Sequence, residues 1–222
     1  MIFILTKEGF CATQHDFQIW PNVTVTGPFN KGSRDFNRFK YWLENQERIG
    51  DDSKHVSQTL LRSGIGYMLS DRASLWLGYA WIRTSFPLTT QPFNEDRIWQ
   101  QLFWTKSINS WTFTSRTRTE QRFMANNRKT AYRIRQFVKL AIPFKNHPKL
   151  YFVNFDELFW HKNNFIGRNS KGFDQNRFFT GLGYQFNSET SVEIGYLNQY
   201  IRRFGVPNFL ANALSINLFI NF

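Results

Sequence analysis

The chain has 222 residues, 28 Lys and Arg against 16 Asp and Glu for a formal charge of +12, and an aromatic content of 18%. No apolar run approaches the ~18 to 20 residues of a membrane-spanning helix, which excludes only the helical route into a bilayer. A basic excess first suggests nucleic acid. Here the arginines lie inside alternating patterns instead of on one helix or in a tail, and no finger spacing or RNA-recognition signature accompanies them, so nucleic acid is not an expected partner.

The N-terminus, MIFILTKEGFCAT, has a short apolar run and a small residue, Ala12, where a cleavage site can end. It lacks the basic n-region and the ~7 to 15 apolar residues of a full secretory signal. Residues 1–13 read as a truncated signal peptide and residues 14–222 as one domain. Cleavage near Ala12 removes Cys11, the single cysteine, which suits an oxidising compartment.

From Gln14 onward, about a dozen residues of alternating character are repeatedly followed by a cluster of Gly, Asn, Asp, Ser, Lys or Pro, the punctuation of an all-β protein. The segments are 16–26, 37–49, 56–69, 74–83, 97–107, 111–124, 130–144, 150–161, 174–187, 191–203 and 212–222. They are longer than the ~5 to 6 residues usual in soluble domains and match the ~9 to 11 residues that cross a bilayer as a tilted strand. Short turns at 70–73, 108–110, 145–149 and 188–190 are interleaved with longer loops at 84–96, 162–173 and 204–211. This is the pattern of an outer-membrane barrel, so the expected fold is all-β: a single antiparallel transmembrane β-barrel with a polar lumen. Bacterial single-chain barrels close with an even number of strands. We therefore expect 12, with a strand hidden between Gln14 and Ile49, or 10 as the alternative.

In SRTRTEQRF, residues 115–123, the charges Arg116, Arg118, Glu120 and Arg122 fall on every second position and share one face of a strand. That face is expected to line the lumen together with Arg133, Arg135, Glu157, Arg177 and Glu193, pairing charge with charge. Gly64, Gly66, Gly181, Gly183 and Gly195 fall on the same polar faces, where they leave room for bulky neighbours. Ser115, Thr117 and Thr119, on the opposite face, are poor lipid partners and suggest a groove or subunit contact there.

The last segment places Leu214, Ile216, Leu218, Ile220 and Phe222 on one apolar face. With its terminal phenylalanine it is similar to the strand read by the bacterial barrel-assembly machinery, the signal being Leu218, Ile220 and Phe222. SLWLGYAWIR, RIWQQLFW, SRTRTEQRF, YRIRQFVKLAIPF, NFDELFW, GFDQNRFFTGLGYQF and SVEIGYLNQYI also resemble, in order and spacing, domain of unknown function 2490. That is a family of Gram-negative outer-membrane β-barrels. The resemblance covers nearly all of residues 14–222; it implies an outer-membrane barrel and supplies no catalytic residues.

No nucleophile elbow, zinc-protease motif, phosphate loop or cysteine metal cluster is present, and no catalytic site, metal or cofactor is expected. His15, His55, His147 and His161 read as solvated residues near segment ends. Asp156 and Glu157 read as members of an ion-pair network. The expected function is an integral outer-membrane barrel, structural or a narrow conduit lined by Arg and Glu, in contact with outer-membrane lipids and lipopolysaccharide. Lys162, Arg168, Lys171, Arg202 and Arg203 are expected in outer loops that face the lipopolysaccharide phosphates. One rival is a channel for small anionic solutes. Another is a lipid hydrolase in which His55 and Ser57, two apart and on one lipid-facing side, serve as base and nucleophile.

Overall fold

The computed structural model describes residues 13–30, 38–166 and 170–222. The leader expected at 1–13 lies outside these residues apart from Thr13, which opens the first strand. Eleven strands are present among the described residues: β1 (Thr13–Pro28), β2 (Phe39–Gly50), β3 (His55–Met68), β4 (Ala73–Thr84), β5 (Phe93–Ile108), β6 (Trp111–Met124), β7 (Ala131–Phe144), β8 (His147–His161), β9 (Gly172–Gln185), β10 (Thr190–Ile201) and β11 (Asn208–Asn221). Each pairs with its sequence neighbours in antiparallel register, and β1 pairs with β11 to close a barrel.

The closure corrects the expected strand number. The barrel has 11 strands, not 12 or 10, and one pair is parallel: Thr13↔Asn208 through Thr26↔Asn221. An odd number of strands joined by hairpins leaves first and last pointing the same way, so the seam must be parallel. The ladder continues one residue beyond β11, where the Phe222 amide donates to the Thr26 carbonyl at 2.9 Å. The seam has matched side chains, since Val23 and Val25 stand beside Leu218 and Ile220. No hidden strand is needed, because β1 and β2 pair directly from Ile19↔Ile49 to Pro28↔Lys40.

Connections at the rim where β1 and β11 begin span residues 51–54, 85–92, 125–130, 162–171 and 202–207. At the opposite rim lie the turns 69–72, 109–110, 145–146 and 186–189, each of four residues or fewer, together with the 29–38 connection between β1 and β2. We call these the long-loop rim and the short-turn rim.

The alternation of the strands inverts the polarity of a soluble protein. Leu77 is 58% exposed and Ile65 56% on the outer wall, whereas Arg118 is 0% and Glu120 1% exposed inside. The outer wall is polar along β5 to β7, where side chains satisfy one another: Thr117 donates to Gln136 at 2.6 Å, Gln136 to Ser115 at 3.0 Å and Thr119 to Gln100 at 2.7 Å. This ladder gives the outward threonines partners within the wall itself.

The interior is not uniformly polar as expected. Trp20, Val153, Phe179, Leu197 and Ala213 form one apolar cluster, and Leu60, Trp76, Ala80, Ile82 and Trp99 another. The glycines of the inner face make these clusters possible. A Cβ on Gly64 would stand 2.6 Å from Trp99, and one on Gly66 2.5 Å from Trp76, so each indole lies against bare backbone.

Candidate functional site: the Arg/Glu lattice and its vestibule

On β5 to β9, the inward positions of neighbouring strands place acids beside bases. Glu120 of β6 accepts from Arg133 Nη2 at 2.6 Å and Arg135 Nη1 at 2.7 Å, both from β7. Glu157 of β8 accepts from Arg116 Nη2 and Arg135 Nη2, each at 2.8 Å, and lies 3.7 Å from Arg177 Nη1. Glu95 of β5 holds Arg97 at 2.6 Å and Arg122 at 2.5 Å. Asp174 of β9 takes Arg133 Nη1 at 3.0 Å and His161 Nε2 at 3.2 Å. Because Arg133 and Arg135 are each shared by two acids, the pairs of β6 to β9 join into one lattice, and Arg97 Nη1, 3.9 Å from Glu120, ties in the β5 pairs as a fifth strand. Guanidinium suits this use, since its planar fork can serve two acceptors at once. Phe159 supplies a common platform, with Arg133, Arg135 and Arg177 stacked 4.6 to 5.0 Å from its ring.

All nine positions read from the sequence as lumen-lining lie on the inner wall, but not as one group. Arg118 forms no ion pair among the described residues; its Nε and Nη2 donate to Gln101 Oε1 at 2.9 and 2.6 Å, and its guanidinium stacks 4.6 Å from Trp99. Glu193 stands apart from the arginines and takes Lys139 Nζ at 2.5 Å and the Tyr151 hydroxyl at 3.1 Å. Leu218, Ile220 and Phe222 are on the outer wall beside the seam.

Sequence reading missed Glu95, Arg97, Asp174 and His161, as well as Arg62 paired with Glu44 at 2.5 Å. The signal was there for Glu95 and Arg97, which alternate in β5 as Arg116 to Arg122 do in β6. His161 is not a solvated end residue. It is 2% exposed and packs on Phe165 of the 162–171 loop at 4.4 Å between ring centres. Phe165 in turn joins Met124, Ala131 and Phe93 under the long-loop rim.

The pairing of His55 with Ser57 does not form. A register shift at Arg48/Ile49 turns Ser57 inward, where it is fully buried and donates to the Arg48 carbonyl at 3.0 Å. His55 is exposed and bonds Asp51 at 2.9 Å. Asp156 and Glu157 also part company, since Asp156 faces outward and accepts from Asn176 at 3.0 and 3.1 Å. Arg168 lies outside the described residues; Lys162, Lys171 and Arg202 are exposed at the long-loop rim. Arg203 folds against the wall, 3.2 Å from Gln14 and 4.5 Å from the Phe209 ring.

On the short-turn side of the lattice the barrel holds a cavity of about 760 Å³. It reaches from the exposed turn residues Asp71, Arg72 and Ser110 down to Trp20, Arg97 and Arg135. Toward the long-loop rim the interior is filled by the lattice, Phe159 and the Phe165 cluster. The geometry is that of a blind vestibule with a charged floor.

Comparison with known proteins places the chain in context. The family model described as "Protein of unknown function (DUF2490)" matches residues 17–209. An uncharacterized protein of Methylorubrum extorquens is 32% identical over 209 residues, which cover 93% of this chain and 88% of that protein. Among solved structures, the chain is similar to the outer-membrane expressed OmpT of Vibrio cholerae at 12% identity and a TM-score of 0.42. That match covers 73% of this chain and 55% of the OmpT chain.

Proposed function

This chain belongs to the DUF2490 family, and from that premise we propose that it is an integral outer-membrane β-barrel of a Gram-negative bacterium whose lumen is barred by an Arg/Glu lattice. The inverted polarity carries this reading. A wall of exposed Leu, Ile and aromatic side chains around a fully buried Arg118 and Glu120 is costly in water and favourable in a bilayer. The closed seam leaves no unpaired strand edge to face lipid.

In this reading Leu218, Ile220 and Phe222 serve the barrel-assembly machinery during biogenesis, and the long-loop rim faces outward. Lys162, Lys171 and Arg202 then lie level with lipopolysaccharide phosphates. The lattice fills the path an ion would need, which favours a closed barrel over a channel for small anionic solutes.

Cell fractionation tests the location: the protein is expected in the outer membrane and resistant to alkaline carbonate extraction, and recovery in a soluble fraction overturns the reading. In planar bilayers the purified barrel is expected to give no discrete conductance steps. Reproducible steps with anion preference would replace the closed barrel with the channel.

A further inference from the structure

We propose that the vestibule on the short-turn side is a binding site for a small organic anion: a phosphate or carboxylate head joined to an apolar or aromatic body. Charge is the first argument. Arg48, Arg62, Arg97, Arg116, Arg135 and Arg177 line the cavity; Glu44 holds Arg62, Glu95 holds Arg97, and Glu120 and Glu157 hold Arg135, while no acid among the described residues pairs with Arg48. Glu157 is already shared by Arg116, Arg135 and Arg177.

Arg48 makes the imbalance concrete. It is 5% exposed and forms no ion pair among the described residues. One of its nitrogens, Nη2, donates to Gln46 at 3.1 Å, while Nε has no partner. Its guanidinium stacks on Trp20 at 4.0 Å, and Arg177 approaches the same ring at 5.3 Å. Two like charges on one indole, one of them without a counter-ion, cost stability for as long as the cavity holds no anion. Nε of Arg62 and of Arg116 is likewise buried without an acceptor. A phosphate or carboxylate entering here brings the counter-charge that Arg48, which lines the cavity, lacks within the protein.

The walls supply the second half of the ligand. Above the arginines the cavity is flanked by Trp42, Trp76 and Phe103 on one side and by Phe137, Phe155 and Phe219 on the other. A bare inorganic anion leaves these surfaces wet, whereas an aryl or alkyl body covers them. The volume of about 760 Å³ falls within the ~300 to 1,000 Å³ of small-molecule sites. Since the far side is filled by the lattice, the arrangement holds a ligand that enters from the short-turn rim.

The test is calorimetric titration of the full chain, folded in non-ionic detergent, with phenyl phosphate; inorganic phosphate is the head-only probe and benzyl alcohol the body-only probe. One phenyl phosphate per barrel is expected, bound at least about tenfold more tightly than inorganic phosphate, with no benzyl alcohol bound. Arg48→Gln is expected to weaken phenyl phosphate at least about tenfold and to melt at no lower temperature than the parent, because it removes an unpaired buried charge. Arg48→Lys is expected to recover part of the binding.

Should Arg48→Gln fail to fold, Arg177→Gln decides by the same binding criterion. Absence of phenyl phosphate binding at millimolar concentration overturns the proposal, as does unchanged affinity in the folded variant. Lysophosphatidate distinguishes the source of the head group: tighter binding than phenyl phosphate assigns it to a lipid, and weaker binding to a soluble compound, the site standing in both cases. The titration uses detergent-held protein, so its failure leaves the membrane reading untouched, and failed fractionation leaves this site untouched.

Discussion

Glu120 and Arg133 are direct partners in the β6–β7 ladder, and Arg133 closes both Nε and Nη2 on the same carboxylate oxygen, at 2.9 and 2.6 Å. The backbone register alone therefore places an acid against a base inside the barrel. Arg135, two residues along β7, reaches the other oxygen of the same carboxylate at 2.7 Å. Removing the acid leaves Arg133 with Asp174 and Arg135 with Glu157 as their remaining partners, and breaking a buried pair typically costs ~3 to 5 kcal/mol. Glu120→Ala is expected to lose the compact, heat-modifiable gel band at a clearly lower temperature than Thr119→Ala. Thr119 loses only an outward hydrogen bond to Gln100, a loss of about 1 kcal/mol. Equal melting of the two variants would show that the lattice does not hold the wall.

The slot that seats Trp99 is testable by coupling. Adding a Cβ at Gly64 brings it to 2.6 Å from the Trp99 ring, while the nearest backbone atom, the Leu77 carbonyl oxygen, is 3.1 Å away. Gly64→Ala is expected to destabilise the folded barrel by ~1 to 3 kcal/mol through overpacking. In a Trp99→Leu background the same substitution should cost less than half as much, measured as a double-mutant cycle of thermal midpoints. A cost independent of Trp99 would mean that the glycine serves the backbone and not the ring.

The parallel seam predicts a cross-link. Val25 and Ile220 are register partners across β1 and β11. With Cys11 replaced by Ser, Val25→Cys together with Ile220→Cys is expected to form an intramolecular disulfide under mild oxidation of the folded protein. Val25→Cys with Leu210→Cys, at the far end of the seam, is not. A hidden twelfth strand between β1 and β11 would abolish the first cross-link.

At the long-loop rim, Lys162→Gln, Lys171→Gln and Arg202→Gln combined are expected to lower co-purification with lipopolysaccharide severalfold while the heat-modifiable band persists. The three side chains are exposed, and charge-assisted bonds to phosphate are their available chemistry. Adding Arg203→Gln should instead lower the melting temperature, since Arg203 packs on Phe209 and bonds Gln14. Unchanged association in the triple variant would remove lipopolysaccharide as a partner of these loops.

Much of the architecture was legible because a strand has a period of two and a membrane barrel is two-faced. Alternation in SRTRTEQRF set Arg116 to Arg122 on one face, and the same rule separated Leu214 to Phe222 from Ser215 and Asn217; neither inference needs a partner strand. What alternation cannot give is which residue lies opposite. Glu193 and Glu157 look alike in sequence, yet register sends one to Lys139 and the other to Arg116, Arg135 and Arg177. Ser57 misled for a related reason. A bulge shifts the register by one residue and so reverses the face of a side chain, and nothing in HVSQT announces it.

The sequence by itself determined the class of fold, the long strands and their inward charges, since these follow from local periodicity and chain length. Closure, and with it the count of 11 strands, was decided only in three dimensions, because β1 and β11 are nearly the whole chain apart and meet through long-range backbone pairing. The vestibule depended on the same step. Arg48 comes from β2, the neighbour of β1, and Arg177 from β9, and they share Trp20 of β1 only once the closed wall has brought β9 round to the same interior point.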